Sequence, residues 1–153
     1  MSIGAEIAPV VVMALGNEMR GDDAAGLRVA ARIEGRLPAG VELVRTRADA
    51  TALLELWKGR ELVVVVDAVS GGTPGEVVGG DVLRDGMPAA ARSASTHDFG
   101  LMQGLELGKL TGELPARLEF VGVVGARFGV GETMSPEVEG ALEAAADRVL
   151  SCL

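Results

Sequence analysis

The sequence is short of the residues from which metal sites and crosslinks are most often built: among 153 residues there are one cysteine, one histidine and no tyrosine. Counting alone therefore excludes an intrachain disulfide framework, a cysteine-rich metal knuckle and a two-histidine zinc protease. Aromatic residues make up only 3% of the chain, which leaves little surface on which bases can stack. Positive charge is scarce as well. Fourteen basic against 22 acidic residues give a net charge of -8, which repels a phosphate backbone and argues against a nucleic-acid partner. No apolar run approaches the roughly 20 residues of a membrane helix, so membrane insertion is not expected. The apolar stretch from Ile7 to Leu15 is bracketed by Glu6 and Glu18, and the first basic residue is Arg20, which is not the layout of a secretory signal. A cytoplasmic protein with Cys152 kept reduced is expected.

What is present fits one domain, residues 1–153: 48% hydrophobic residues supply a core, and no linker, repeat or low-complexity stretch divides the chain. Three valine-rich runs, Val10 to Leu15, Leu62 to Val66 and Phe120 to Val124, are apolar at successive positions. Strands buried on both faces of a parallel sheet have this pattern. Helical spacing follows in between, with one stripe through Leu27, Ala30, Ile33 and Leu37 and another through Leu101, Met102, Leu105 and Leu110. A last helix is predicted from Ser135 as N-cap and Pro136 at the first helical position, with Val138, Leu142, Ala145 and Val149 on one face. Val41 to Arg45 reads as a strand, Asp49 to Trp57 as a short helix and Glu76 to Leu83 as a strand near an edge. The order predicts an α/β fold, a three-layer α/β/α sandwich around a mostly parallel central sheet.

Ligands of such sheets bind beyond the carboxyl ends of the strands, so the polar residues after the buried runs are the place to look. The first run leads into Gly16-Asn17-Glu18-Met19-Arg20-Gly21-Asp22-Asp23, the second into Asp67-Ala68-Val69-Ser70-Gly71-Gly72, and a further loop holds the lone histidine in Ser95-Thr96-His97-Asp98. The first loop is glycine-rich but has neither G-x-G-x-x-G nor Gly-Lys-Ser/Thr, and its two aspartates occupy the helix start that a phosphate would need. A helix dipole favours those carboxylates as anions, so the loop suits a cation, with Asp22 a candidate N-cap. Asp67 is the first polar side chain after four valines, and His97 at a helix start is biased toward its neutral, metal-binding form. Two carboxylates and one imidazole suit a divalent ion such as nickel, zinc or manganese, with coordination positions left open. Glu18 reads as a solvated loop charge, with an additional metal or substrate contact as the other reading. The glycines of these loops, 16, 21 and 26 and then 71, 72 and 75, read as flexible backbone that lets a bulky substrate approach.

Other chemistries are less well supplied. Ala68-Val69-Ser70-Gly71-Gly72 is close to a nucleophile elbow, but a turn and a strand follow it where the elbow needs a helix. Asp23 and Asp67 could instead share a proton as an aspartic-type dyad. Cys152 near the chain end has no evident base.

Taken together the three loops resemble the hydrogenase maturation endopeptidases. The resemblance rests on Gly16-Asn17 through Asp22-Asp23-Ala24-Ala25-Gly26, on Val63-Val64-Val65-Val66-Asp67-Ala68 with Pro74-Gly75-Glu76, on Ser95-Thr96-His97, and on Val121-Gly122-Val123-Val124 with Ser135-Pro136. It spans nearly the whole chain. Ala24 stands where the family usually has glycine, and Gly125-Ala126-Arg127 replaces a stretch that often contains glutamine or cysteine and proline. The resemblance implies a phosphorylase/hydrolase-like sandwich and a protease that trims the C-terminus of a [NiFe]-hydrogenase large-subunit precursor after nickel insertion. It also implies that Asp23, Asp67 and His97 are the catalytic and metal-contacting residues, that the nickel comes with the substrate, and that the chain has no tightly bound cofactor of its own. A hydrolase with its own metal and a non-enzymatic metal-sensing assembly module are the other readings of the same residues.

Overall fold

A computed structural model describes residues 7–47, 49–89 and 99–153. Five strands, β1 (Val10–Leu15), β2 (Val41–Thr46), β3 (Leu62–Val69), β4 (Val77–Asp81) and β5 (Arg117–Val124), form one sheet in the order β2-β1-β3-β5-β4. All neighbours are parallel except β4, which runs antiparallel along β5 at one edge. The helices are α1 (Ala25–Ile33), α2 (Ala50–Trp57), α3 (Val82–Asp85), α4 (Phe99–Thr111) and α5 (Pro136–Ser151). A 3₁₀ turn, Gly21–Ala24, leads directly into α1.

The valine runs are buried on both faces because each face carries its own helical layer. Val12, Ala14, Val64, Val66, Val121 and Val123 pack with α1 and α5. The alternate positions, including Val11, Met13, Val63, Val65, Val69 and Phe120, pack with Leu53 and Trp57 of α2 and Leu101 and Leu105 of α4. Period-two alternation along a strand thus divides the interior into two apolar layers and gives the expected three-layer sandwich.

The helix starts follow the expected chemistry where it was specific. Ser135 Oγ accepts from the Val138 N–H ahead of Pro136, and Asp49 Oδ1 accepts from the Ala52 N–H at 3.0 Å. At the amino ends of the strands, the buried guanidinium of Arg60 donates to the carbonyls of Leu56 (3.0 Å) and Ala8 (2.8 Å) and to Glu42 Oε1 (2.8 Å), tying together chain that flanks β1, β2 and β3.

Several boundaries differ from the sequence reading. β3 continues past Asp67 to Val69 because β5 continues beside it, pairing Asp67 with Gly122 and Val69 with Val124. β5 likewise begins at Arg117, earlier than its apolar run. The edge strand stops at Asp81, whose carboxylate accepts from the Arg84 N–H and turns the chain into α3, so Val82 and Leu83 are helical. Leu110 is 83% exposed: the buried face of α4 runs through Leu101, Gly104, Leu105 and Gly108, and Leu110 points to the opposite side of the helix from Leu101. No helix among the described residues is long and apolar enough to cross a membrane.

Candidate active site

The strand order creates the site. From β1 the chain crosses through α1 to β2 on one side, then returns through α2 to β3 on the other side and the opposite face. The carboxyl ends of β1 and β3 therefore form a topological switch point, where the connections diverge and leave a crevice. The loop after β1 carries Asp23 and β3 carries Asp67, so both sequence-predicted carboxylates lie there.

Close packing holds them in place. The 3₁₀ turn with Asp22 and Asp23 rests against β3. A Cβ on Gly26, in the first turn of α1, would lie 2.4 Å from the Leu15 carbonyl oxygen and 2.6 Å from that of Val66, so only glycine lets the helix start settle over the ends of β1 and β3. A Cβ on Gly16 would lie 2.4 Å from the Asp23 carbonyl oxygen. These glycines therefore allow backbone to touch backbone, and the expectation that they open the loop to a bulky substrate is corrected. Asn17 adds to the closure: its N–H donates to the Asp23 carbonyl at 3.2 Å and its Oδ1 accepts from the Met19 N–H at 2.9 Å.

The adjacent aspartates have different tasks. Asp22 is fully buried and is not an N-cap, since neither the 3₁₀ turn nor α1 has a side-chain cap. Its Oδ2 accepts from the Ala126 N–H (2.8 Å), the Arg127 N–H (2.9 Å) and Ser135 Oγ (2.9 Å), and its Oδ1 accepts from the Ser135 N–H (2.7 Å). Burial by itself pushes this carboxyl's pKa up, but the N–H donors of Ala126, Ser135 and Arg127, with the Ser135 hydroxyl, outweigh it and hold the group below its ordinary range. Asp22 thus braces the first loop against the connection between β5 and α5. Sequence reasoning missed this brace, treating Ser135 only as a cap and Gly125-Ala126-Arg127 only as a departure from the family pattern. Its neighbour Asp23 takes no part in this brace and is also buried, with 8% of its surface exposed.

Asp67 is 2% exposed, and its Oδ1 accepts from the following Ala68 N–H at 2.8 Å. Strand alternation puts it on the same face as Val65 and Val69, the face covered by α2 and α4. His97, with Ser95, Thr96 and Asp98, lies outside the described residues; in sequence it stands two positions before α4. Among the described residues no three histidine, cysteine or acidic side chains gather as a metal site. Glu18 is exposed, and Ser70 precedes a turn and β4 without a helix between, the wrong setting for a nucleophile elbow. Burial raises the pKa of the Cys152 thiol, with a further push from Glu119, which is unfavourable for a nucleophile.

Comparison with known proteins decides the family. The family model for hydrogenase maturation protease matches residues 27–152. The chain belongs to the hydrogenase maturation proteases. The hydrogenase 2 maturation protease of Escherichia coli is 31% identical over 150 residues, covering 94% of this chain and 90% of that protein. Protein FrxA of Pyrococcus furiosus is 32% identical over 138 residues, covering 87% of this chain and 96% of that one. Among solved structures, the hydrogenase maturating endopeptidase HybD from E. coli superposes with a TM-score of 0.81 at 28% identity over 94% of this chain and 91% of that chain. The [NiFe] hydrogenase maturation protease HybD from Thermococcus kodakarensis gives 0.74 at 28% identity, covering 94% and 97%. The family match begins just after the acidic turn, while the relatives align over nearly the whole chain.

Proposed function

We propose that this maturation protease is an endopeptidase that removes the C-terminal extension of a [NiFe]-hydrogenase large-subunit precursor once nickel has been inserted, and that Asp23, Asp67 and His97 contact that nickel. The observation that carries this is the placement of two buried carboxylates, Asp23 and Asp67, at the switch point between β1 and β3, two strands that are apolar at every position except Asp67 itself. Burying a carboxylate is costly, so two of them kept at the carboxyl end of an apolar sheet core mark a place held for chemistry rather than for packing. Family membership supplies the kind of substrate, and the resemblance of the three loops supplies the cation.

The nickel is part of the substrate. Two oxygens and one imidazole nitrogen are borderline-to-hard donors that leave coordination positions open, which suits an ion already held by another protein. Holding that ion fixes the precursor's tail against the crevice, and an oriented scissile bond needs far less activation than a free one. The attacking water loses its proton either to one of the two carboxylates or through polarisation by the substrate's metal. Cytoplasmic action fits a chain with a single thiol.

The test is mass measurement of nickel-loaded and nickel-free precursor incubated with the wild type and with Asp23→Asn, Asp67→Asn and His97→Ala. Trimming of the loaded precursor by the wild type alone is expected. Trimming by all three variants refutes the site, and equal trimming of nickel-free precursor refutes the nickel requirement.

A further inference from the structure

Met19 and Val130 stand out because they are large apolar side chains held in water, 66% and 73% exposed, on loops that are otherwise firmly tied down. The two loops meet there. The Gly131 N–H donates to the Met19 carbonyl at 2.8 Å, while the Met19 N–H donates to Asn17 Oδ1 at 2.9 Å. Both backbone polar groups of Met19 are therefore satisfied. The Asp22 brace fixes the same two loops to each other again, through Ala126 and Arg127 ahead of Val130. These side chains are not exposed because the backbone is loose; they are displayed on a braced one.

Such display adds nothing to the core, and it leaves apolar surface in contact with water. The position indicates what removes that surface from water. Met19 follows β1 and Val130 follows β5, so both lie at the carboxyl ends of the parallel strands, the edge that holds Asp23 and Asp67. Met19 is on the same loop as Asp23. A folded protein brought to that carboxylate comes up against the rim formed by these loops. Two apolar side chains on loops joined by a backbone hydrogen bond, at the sheet edge that holds the buried carboxylates, can add affinity for a protein partner without entering the chemistry.

We infer that Met19 and Val130 form an apolar docking contact for the precursor protein, receiving an apolar segment next to its scissile bond; this rests on the proposed function. The pair sets how tightly the precursor is held and leaves the bond-breaking step unaltered.

The experiment compares the wild type, a Met19→Ser/Val130→Ser double variant and a conservative Met19→Leu/Val130→Ile double variant on nickel-loaded precursor. Cleavage kinetics and a direct binding titration are both recorded. For the serine variant we expect KM and Kd to rise about tenfold per side chain, as loss of a partly buried apolar contact gives. Its kcat stays within about twofold, the mark of binding lost equally from ground and transition states. The conservative variant keeps KM and Kd within about threefold of the wild type. Thermal midpoints of all three agree, since neither side chain supports the fold. Unchanged KM and Kd in the serine variant, or a fall in kcat without a rise in KM, overturns the docking contact. A wild type that binds but does not cut, with weaker binding by the serine variant, overturns the proteolysis and leaves the contact standing. A wild type that neither binds nor cuts overturns both.

Discussion

Replacing Asp22 by asparagine tests the separation of roles between the two adjacent aspartates. The carboxylate accepts four hydrogen bonds, three at Oδ2 and one at Oδ1. An amide has one acceptor oxygen. Set at the Oδ2 position, it keeps the bonds from Ala126, Arg127 and the Ser135 hydroxyl in weaker, uncharged form, and turns its NH₂ toward the Ser135 N–H, which lies 2.7 Å from the present Oδ1. Two donors then oppose each other inside the protein. Losing one charge-assisted bond, stranding a buried N–H and weakening the other three costs about 3–5 kcal/mol. In a domain of this size that lowers the thermal midpoint by roughly 6–20 °C. Urea unfolding followed by circular dichroism measures it, and a variant within about 0.5 kcal/mol of the wild type refutes the brace. Acid gives a second readout. Because the folded carboxyl's pKa is depressed, its contribution to stability is complete above the unfolded value of 3.8 and is lost as pH falls from there through the folded value. The asparagine variant lacks that part of the acid slope. Its cleavage activity also falls at temperatures where it is still folded, because Asp23 stands on the turn that Asp22 holds.

Further predictions follow from packing. Gly26→Ala forces a methyl group against two strand carbonyls that cannot rotate away, and is expected to cost about 3 kcal/mol or more by urea midpoint, with loss of activity. Arg60→Ala takes the donor from the Leu56 and Ala8 carbonyls at the opposite end of the sheet and removes a buried side chain, and should cost about 2–4 kcal/mol while kcat of the folded fraction is unchanged. Leu142→Ala removes a buried contact of α5 and should cost about 2–5 kcal/mol. Leu110→Gln should leave the urea midpoint within about 0.5 kcal/mol of the wild type, because that side chain is in solvent.

How much was legible in the sequence depended on how local each cause was. The valine runs of β1 and β3 were readable because burial on both faces leaves a continuous apolar run, and the sandwich followed from the order of elements. Asp23 and Asp67 stand out in the sequence because they follow those runs, and the structure buries both. The end of β3 was not, since a charge after four valines looks like an end, and only the pairing of Asp67 with Gly122 shows that the ladder continues. Leu110 misled because an apolar residue near a stripe need not share its face: five positions after Leu105 it has turned about 140° round the helix, away from the buried side. The role of Asp22 could not be read at all. Its carboxylate is one of two in a row, and the donors that distinguish it are three ordinary backbone N–H groups and one serine hydroxyl far along the chain.

That distance governs when the site comes into being. The bonds between Asp22 and Ser135 join residues 113 positions apart, and those to Ala126 and Arg127 span 104 and 105. Contacts so remote in sequence close late, because the whole intervening chain has to be ordered first. During synthesis, β1 and its acidic turn emerge early but have nothing to brace them until the connection after β5 and the start of α5 have left the ribosome. A partial chain thus carries Asp23 without the lock that positions it, and the protease gains its site only when its own C-terminal part is in place.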